Sequence, residues 1–332
     1  MKPQDYQAKL KSYIQTLDPK IFGLSSTDNI SLKRLSVGLH NVNFLISFKD
    51  RKFVLRFHPG NKLGQDKTAD EASGMKLLKD LPVPDVLSVS KPDFLDSSVM
   101  IIEFVEGSHQ DFNDLSTDKV RALARVVAKI HKIKRNVFSK ALGAPPITEG
   151  NYENYVKAIF DSSVVHPLSL IDPKLYDDSS EIIAKAGKLL DSALADLAES
   201  FVGREFSLMH TDIGRDNVLW VGNDPKIIDW EEITFGDPAD EVSYIFAINN
   251  LNEKHQNIFL DEYLSERTDA SLKTRLPIYT LKNRLFDLVW SLSKLQQQKS
   301  GQEPQLMQKS SELYQQFYDV RREALANLVD ES

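Results

Sequence analysis

Apolar residues at Tyr6, Leu10, Tyr13, Ile14 and Leu17 recur at helical spacing and stop before Asp18-Pro19, which predicts a helix over residues 4–17. From Ile30 the period shortens to two. Residues 31–36, 42–48 and 52–57 read as strands, with Lys49-Asp50-Arg51 as a tight turn, so three antiparallel strands follow one another. A helix over 69–79 and strands over 85–90 and 99–104 complete a five-stranded lobe with one helix.

Past Gly107 the helical period dominates. Val120, Leu123, Ala124, Val127, Ile130 and Ile133 form an apolar stripe over 118–134, and 181–198 carries a similar one. Further helices are predicted over 239–250, 258–264, 281–297 and 306–328. Residues 136–150, around Pro145-Pro146, read as a loop and 161–180 as an irregular insertion. The pattern is of α+β class, with a sheet-rich first lobe at 1–106 and a mostly helical second lobe at 107–332.

Chemistry concentrates in two short segments, the run from His210 to Asn217 and Ile227-Ile228-Asp229-Trp230-Glu231. They place two carboxylates and a carboxamide at a spacing used for phosphoryl transfer. The first aspartate of such a loop orients the acceptor hydroxyl, an asparagine five residues on binds metal, and an aspartate beyond a short hairpin binds metal too. That assigns Asp212 to the hydroxyl and Asn217 and Asp229 to the metal. Transfer through a loose transition state needs positioning and charge neutralisation, and carboxylate and amide oxygens suit Mg2+. The short apolar runs 218–221 and 226–228, around Gly222-Asn223-Asp224-Pro225, read as a hairpin with Asn217 and Asp229 at its two ends.

These segments resemble the aminoglycoside phosphotransferase and choline kinase family, which has the form His-Gly-Asp-Leu-x-x-x-Asn in its catalytic loop and Ile-Asp-Trp-Glu at its metal segment. Gly236-Asp237-Pro238 and Asp240 extend the match. The resemblance implies a bilobal protein-kinase-like fold, with a small antiparallel-sheet N-lobe, a larger mostly helical C-lobe, and ATP as donor with GTP left open. It places Gly38 and Asn41 in a loop over the phosphates, Arg56 where kinases carry a strand lysine, and Glu71 as its ion-pair partner. Backbone groups of the hinge at Glu103, Phe104 and Val105 would meet the purine. His210 would orient the loop by bonding the backbone near Asp229, Arg215 could supply a cation, and His131 would be a packing residue. Protein kinases show Asp-Phe-Gly and Ala-Pro-Glu instead; neither is present, and 229–240 is too short for a peptide-binding activation segment.

Composition narrows the partners. A net charge of −7 with no basic stripe argues against nucleic acid, and no apolar run is long enough for a membrane span. With no cysteine, disulfides and thiolate metal sites are excluded. The first residues lack the basic stretch and apolar core of a secretory signal, which gives a cytoplasmic expectation. The expected partner is a small-molecule acceptor. Glu232, Asp240, Glu241, Asp261, Glu262 and Asp287, with Tyr244, Tyr279, Phe286 and Trp290, would suit a cationic one such as an amino alcohol, aminoglycoside or amino sugar. A neutral or anionic acceptor (a sugar, homoserine or a macrolide) and a degenerate nucleotide-binding scaffold stay open, as does the oligomeric state.

Overall fold

The computed structural model describes residues 3–35, 41–59, 66–138, 148–149, 152–200, 205–301 and 311–330. The chain divides into two compact units, 1–110 with 216–233 and 111–215 with 234–332. A division at 106/107 would leave 216–233 in the second lobe; these residues group with the first unit.

The first unit begins with helix α1 (Pro3–Thr16), followed by strands β1 (Ser31–Arg34), β2 (Val42–Phe48) and β3 (Arg51–Phe57), helix α2 (Lys67–Met75), and strands β4 (Val86–Ser90) and β5 (Val99–Glu103). The sheet order is β1-β2-β3-β5-β4 and every pairing is antiparallel. Along β2 the buried positions alternate strictly, because successive side chains of a strand point to opposite faces. Val42, Phe44, Ile46 and Phe48 thereby enter one core with Leu10 and Ile14 of α1 and Leu55 and Phe57 of β3. Phe22 wedges against Phe48 and Phe53 at ring distances of 5.0 and 5.1 Å. Truncating a buried phenylalanine of this kind costs about 3–5 kcal/mol.

A two-residue hairpin, Val218–Val221 with Asp224–Ile227, completes this unit. Gly222 supplies the positive φ (63°) of its turn, one residue earlier than the Gly-Asn-Asp-Pro reading implies, because Asp224 and Pro225 already pair in the ladder. The hairpin docks through Trp220, which exchanges backbone hydrogen bonds with Ser108, and through Ile227 N–H to Pro82 C=O.

The second unit is mostly helical: α3 (Thr117–Ile130), α4 (Tyr152–Phe160), α5 (His166–Ser169), α6 (Ser180–Ser200), α7 (Pro238–Ile248), α8 (Glu253–Glu266), α9 (Leu272–Lys299) and α10 (Ser311–Asp330). A small sheet orders Thr234–Gly236, Phe206–Met209 and Lys134–Arg135. α7 and α10 pack on α9, and α3 packs on α8. Among the described residues, no helix is long and apolar enough to cross a membrane.

Two sequence expectations are corrected here. The insertion at 161–180 is largely helical: a π-turn over Asp161–Val165 leads from α4 into α5, and Val164 and Ile171 are buried. An inserted π-turn shifts the phase of the apolar period, so periodicity misses it. The helix expected over 281–297 starts earlier, at Leu272, and α9 runs through Pro277, a residue that removes a helix hydrogen bond. The fully buried Arg275 anchors that turn: it grips Asp237, the cap of α7, at 2.8 and 2.9 Å, and Asp269 at 2.9 and 3.2 Å.

Candidate active site

In the first unit, β3 lies in the middle of the sheet and carries Arg56, whose side chain is turned inward. Its Nε faces Glu71 Oε2 of α2 at 3.0 Å, close enough for an ion pair but off the line of a hydrogen bond. Its Nη2 donates to Asp229 Oδ1. Glu71 Oε1 accepts the Trp230 N–H at 3.0 Å, so α2, β3 and the segment 229–231 share one charge cluster. Burial opposes the charge on Arg56, but Glu71, Asp229 and Glu231 outweigh it and hold the guanidinium firmly protonated. Burial pushes the Glu71 carboxyl up, against the pull of Arg56.

Asp229 adopts φ 69°, a left-handed conformation that aspartate tolerates. The preceding residue, Ile228, donates its N–H to Asn217 C=O at 3.0 Å, and the next ladder pair is Val218 with Ile227. The hairpin thus brings the backbones of 217 and 228 into register, which explains why the two motifs stand at their particular separation. A carboxylate and a carboxamide, both hard oxygen donors, fit Mg2+, and Asp229 Oδ1 already takes a cationic partner in Arg56. Among the described residues no three His, Cys, Asp or Glu side chains form a metal cage.

Asn41 donates from Nδ2 to Glu231 Oε2 at 2.8 Å, which ties the strand-entry asparagine to the residue after Trp230. Gly38 lies outside the described residues. At the hinge, Glu103 N–H is committed to Asp85 C=O and Val105 C=O accepts from Gly107. Phe104 lies under the Lys52 ammonium at 5.5 Å.

In the second unit, His210 is fully buried and its Nδ1 accepts the Asp212 N–H at 3.2 Å. Asp212 Oδ1 accepts from the Tyr244 hydroxyl of α7 at 3.2 Å. Burial, then the charges of Asp212 and Asp287, push the Tyr244 phenol well above its usual range, so it stays a donor. The loop beyond Asp212 is fixed by Asn249, whose Nδ2 donates to Ile213 C=O at 3.1 Å and whose Oδ1 accepts Arg215 N–H at 3.0 Å. The Arg215 guanidinium is exposed and points to Asp111 at 3.7 Å.

Sequence reasoning missed Tyr244 as a partner of Asp212 and Glu241 as a partner of Thr211, because helix periodicity does not reveal which side chain faces a loop. Most acids proposed for a cationic acceptor have partners within the chain: Asp240 binds Lys282 at 2.7 Å, Glu262 binds Arg125 at 2.7 Å, and Glu232 lies 3.5 Å from Lys67. The Trp290 ring is covered by Arg321 at 4.7 Å and Lys294 at 5.5 Å. Asp287 differs: it is buried, and its Oδ2 has no hydrogen-bond partner among the described residues.

The fold is shared with solved structures. Aminoglycoside phosphotransferase APH(4)-Ia is 20% identical, with 97% of this chain and 98% of that one covered at a TM-score of 0.65. Choline kinase from Cryptosporidium parvum is 16% identical over 98% and 96% of the two chains, also at 0.65. Choline kinase LicA from Streptococcus pneumoniae is 19% identical over 98% of each, at 0.61. Together they establish the protein-kinase-like α+β fold. Among curated proteins, a LicA homolog of Metamycoplasma hominis is 36% identical over 55 residues, which span 17% of this chain and only 22% of that protein. The sequence profile of the Phosphotransferase enzyme family matches residues 31–275, most of the chain, and the chain belongs to that family.

Proposed function

We propose that this protein is a small-molecule kinase that moves the γ-phosphoryl group of ATP to a hydroxyl of its acceptor. The observation that carries the reading is the cluster in which Arg56, Glu71 and Asp229 meet while the hairpin holds Asn217 beside Ile228. In this reading Asn217 and Asp229 hold Mg2+, which when bound neutralises charge on the phosphate oxygens. Arg56 meets the phosphates, while Glu71 fixes its direction. Asn41 and Gly38 belong to the loop over the phosphates.

The purine is held by the hinge. Backbone groups of Glu103, Phe104 and Val105 meet its edge in this reading. Asp212 accepts the acceptor hydroxyl proton as the oxygen–phosphorus bond forms, and the bond from phosphorus to the ADP oxygen breaks. Tyr244 and His210 hold Asp212 in place through its carboxylate and its amide. Arg215, whose exposed guanidinium faces Asp111, supplies a further cation in this reading. ATP as the donor and an amino alcohol or amino sugar as the acceptor accord with the solved relatives, one of which is a ternary complex with AMP-PNP and hygromycin B. A cytoplasmic location follows from the ATP requirement.

A second reading, a nucleotide-binding scaffold without transfer, is favoured by one observation: Arg56 occupies a carboxylate oxygen of Asp229. Consumption of magnesium-ATP, measured with aminoglycosides, amino alcohols, sugars and macrolides in turn, separates the two. Turnover with one acceptor class supports the kinase; calorimetric binding of magnesium-ATP with no turnover on the whole panel favours the scaffold; absence of binding defeats both.

A further inference from the structure

The family signature quoted for the catalytic loop has glycine between its histidine and aspartate, and this chain has Thr211. The reason for glycine is visible in the backbone, since Thr211 has φ 70°. A β-branched residue there is a true outlier, strained relative to glycine. Something must hold it. Thr211 N–H donates to Glu241 Oε1 at 2.5 Å. Glu241 Oε2 lies 2.7 Å from His131 Nε2, and His131 Nδ1 lies 2.7 Å from the Tyr263 hydroxyl, with Arg267 Nη1 a further 3.4 Å away.

Donor and acceptor roles in this chain are set from the Glu241 end. A carboxylate only accepts, so His131 donates from Nε2 to Glu241, which accepts at both oxygens. Tyr263 accepts from Arg267 and pairs with His131 Nδ1, and burial raises its phenol, so it stays protonated. His131 and Glu241 are buried, and they come from the end of α3 and from α7, while Tyr263 comes from α8. Three helices converge on the peptide N–H just before Asp212, and no step of the proposed transfer uses them.

We propose that Glu241, oriented by His131, is a positioning residue that clamps the Thr211 peptide in its left-handed conformation and so aims Asp212. This rests on the proposed role of Asp212. The test is a double-mutant cycle of Glu241→Gln and Thr211→Gly in the full chain. Glutamine keeps the volume but has one acceptor oxygen where two N–H groups need one each. Glycine takes φ 70° without strain.

Glu241→Gln should lower kcat for magnesium-ATP consumption by ~10- to 100-fold, the scale of lost orienting contacts, with the KM for ATP nearly unchanged. Thr211→Gly in that background should recover much of the loss. The melting temperature should show the same coupling, with Thr211→Gly raising it more in the Glu241→Gln protein than in the native one. If Glu241→Gln does not fold, His131→Gln, which leaves the carboxylate but loosens it, goes through the same cycle. Independent, additive effects on both kcat and melting temperature would overturn the clamp, as would a KM change as large as the kcat change. A native protein that consumes no ATP with any acceptor defeats the proposed function, while the melting cycle still decides the clamp.

Discussion

Arg56 reaches Glu71 through Nε and Asp229 through Nη2, so a single guanidinium fork joins β3, α2 and the segment that follows the hairpin. A lysine at this position could not span both carboxylates with one fixed plane. Arg56→Ala is expected to raise the KM for ATP or lower kcat by about 2–4 kcal/mol, and Arg56→Lys to fall between, because charge survives while the fork does not. Glu71→Ala should resemble Arg56→Ala, and the double variant should be far from additive. Steady-state kinetics with melting curves separate this from simple unfolding; native kinetics in all three single variants would remove Arg56 from the phosphate site.

Asp212→Asn keeps the shape that Tyr244 and His210 hold but removes the proton acceptor. Turnover should drop by about 100- to 10,000-fold, the range for loss of a positioned base, with ATP affinity little changed. Rapid-quench kinetics and calorimetry together check it. A variant that turns over like the native protein would release Asp212 from its role.

For the metal, Asp229→Ala should weaken magnesium-dependent ATP binding more than Asn217→Ala, because a carboxylate contributes full charge and a carboxamide only a dipole. The comparison is calorimetric, with and without Mg2+. Equal ATP affinity of the native protein in both conditions would contradict both assignments.

The sequence shows clearly what depends on short range. The alternation of Val42, Phe44, Ile46 and Phe48 predicts both β2 and its buried face, and the short apolar runs 218–221 and 226–228 predict a hairpin that the structure contains. What it hides depends on tertiary packing. Tyr244 and Glu241 lie on one nearly all-buried helix, where no polar stripe distinguishes a residue facing a loop from one facing solvent. Pro277 marks a break in any local reading, yet the helix runs through it where Arg275 is pinned by two buried aspartates. The Arg56–Glu71 pair is legible only through resemblance, since nothing local joins residues of a strand and the next helix.

Asp287 gives a pH prediction. Burial raises its pKa from 3.8 to about 6, opposed by Arg321, Arg284 and Lys282. For an acid, a folded value above the unfolded one means that ionisation destabilises the native state. The cost is absent below the unfolded pKa of 3.8, grows as pH rises through this window and is complete above about 6, reaching on the order of 3 kcal/mol. Asp287→Asn should therefore melt higher than the native protein near about pH 8 and lose that advantage on acidification toward about pH 4. Equal melting temperatures across the range would show that the carboxylate is solvated or paired in the native state.

The first unit is discontinuous, and this sets an order of events at the ribosome. Its sheet is encoded by the first 110 residues, but the Asp229 that Arg56 holds and the Trp230 amide that Glu71 accepts are made only after residues 111–215 have been added. At cellular translation rates that interval is on the order of ten seconds. During it, Arg56 and Glu71 must sit with half their partners missing, in a nascent sheet that has closed its apolar core but not its charge cluster. The hairpin at 216–233 is thus also the closing piece of the N-terminal fold, and a chain arrested before it would display an unfinished lobe to chaperones and proteases.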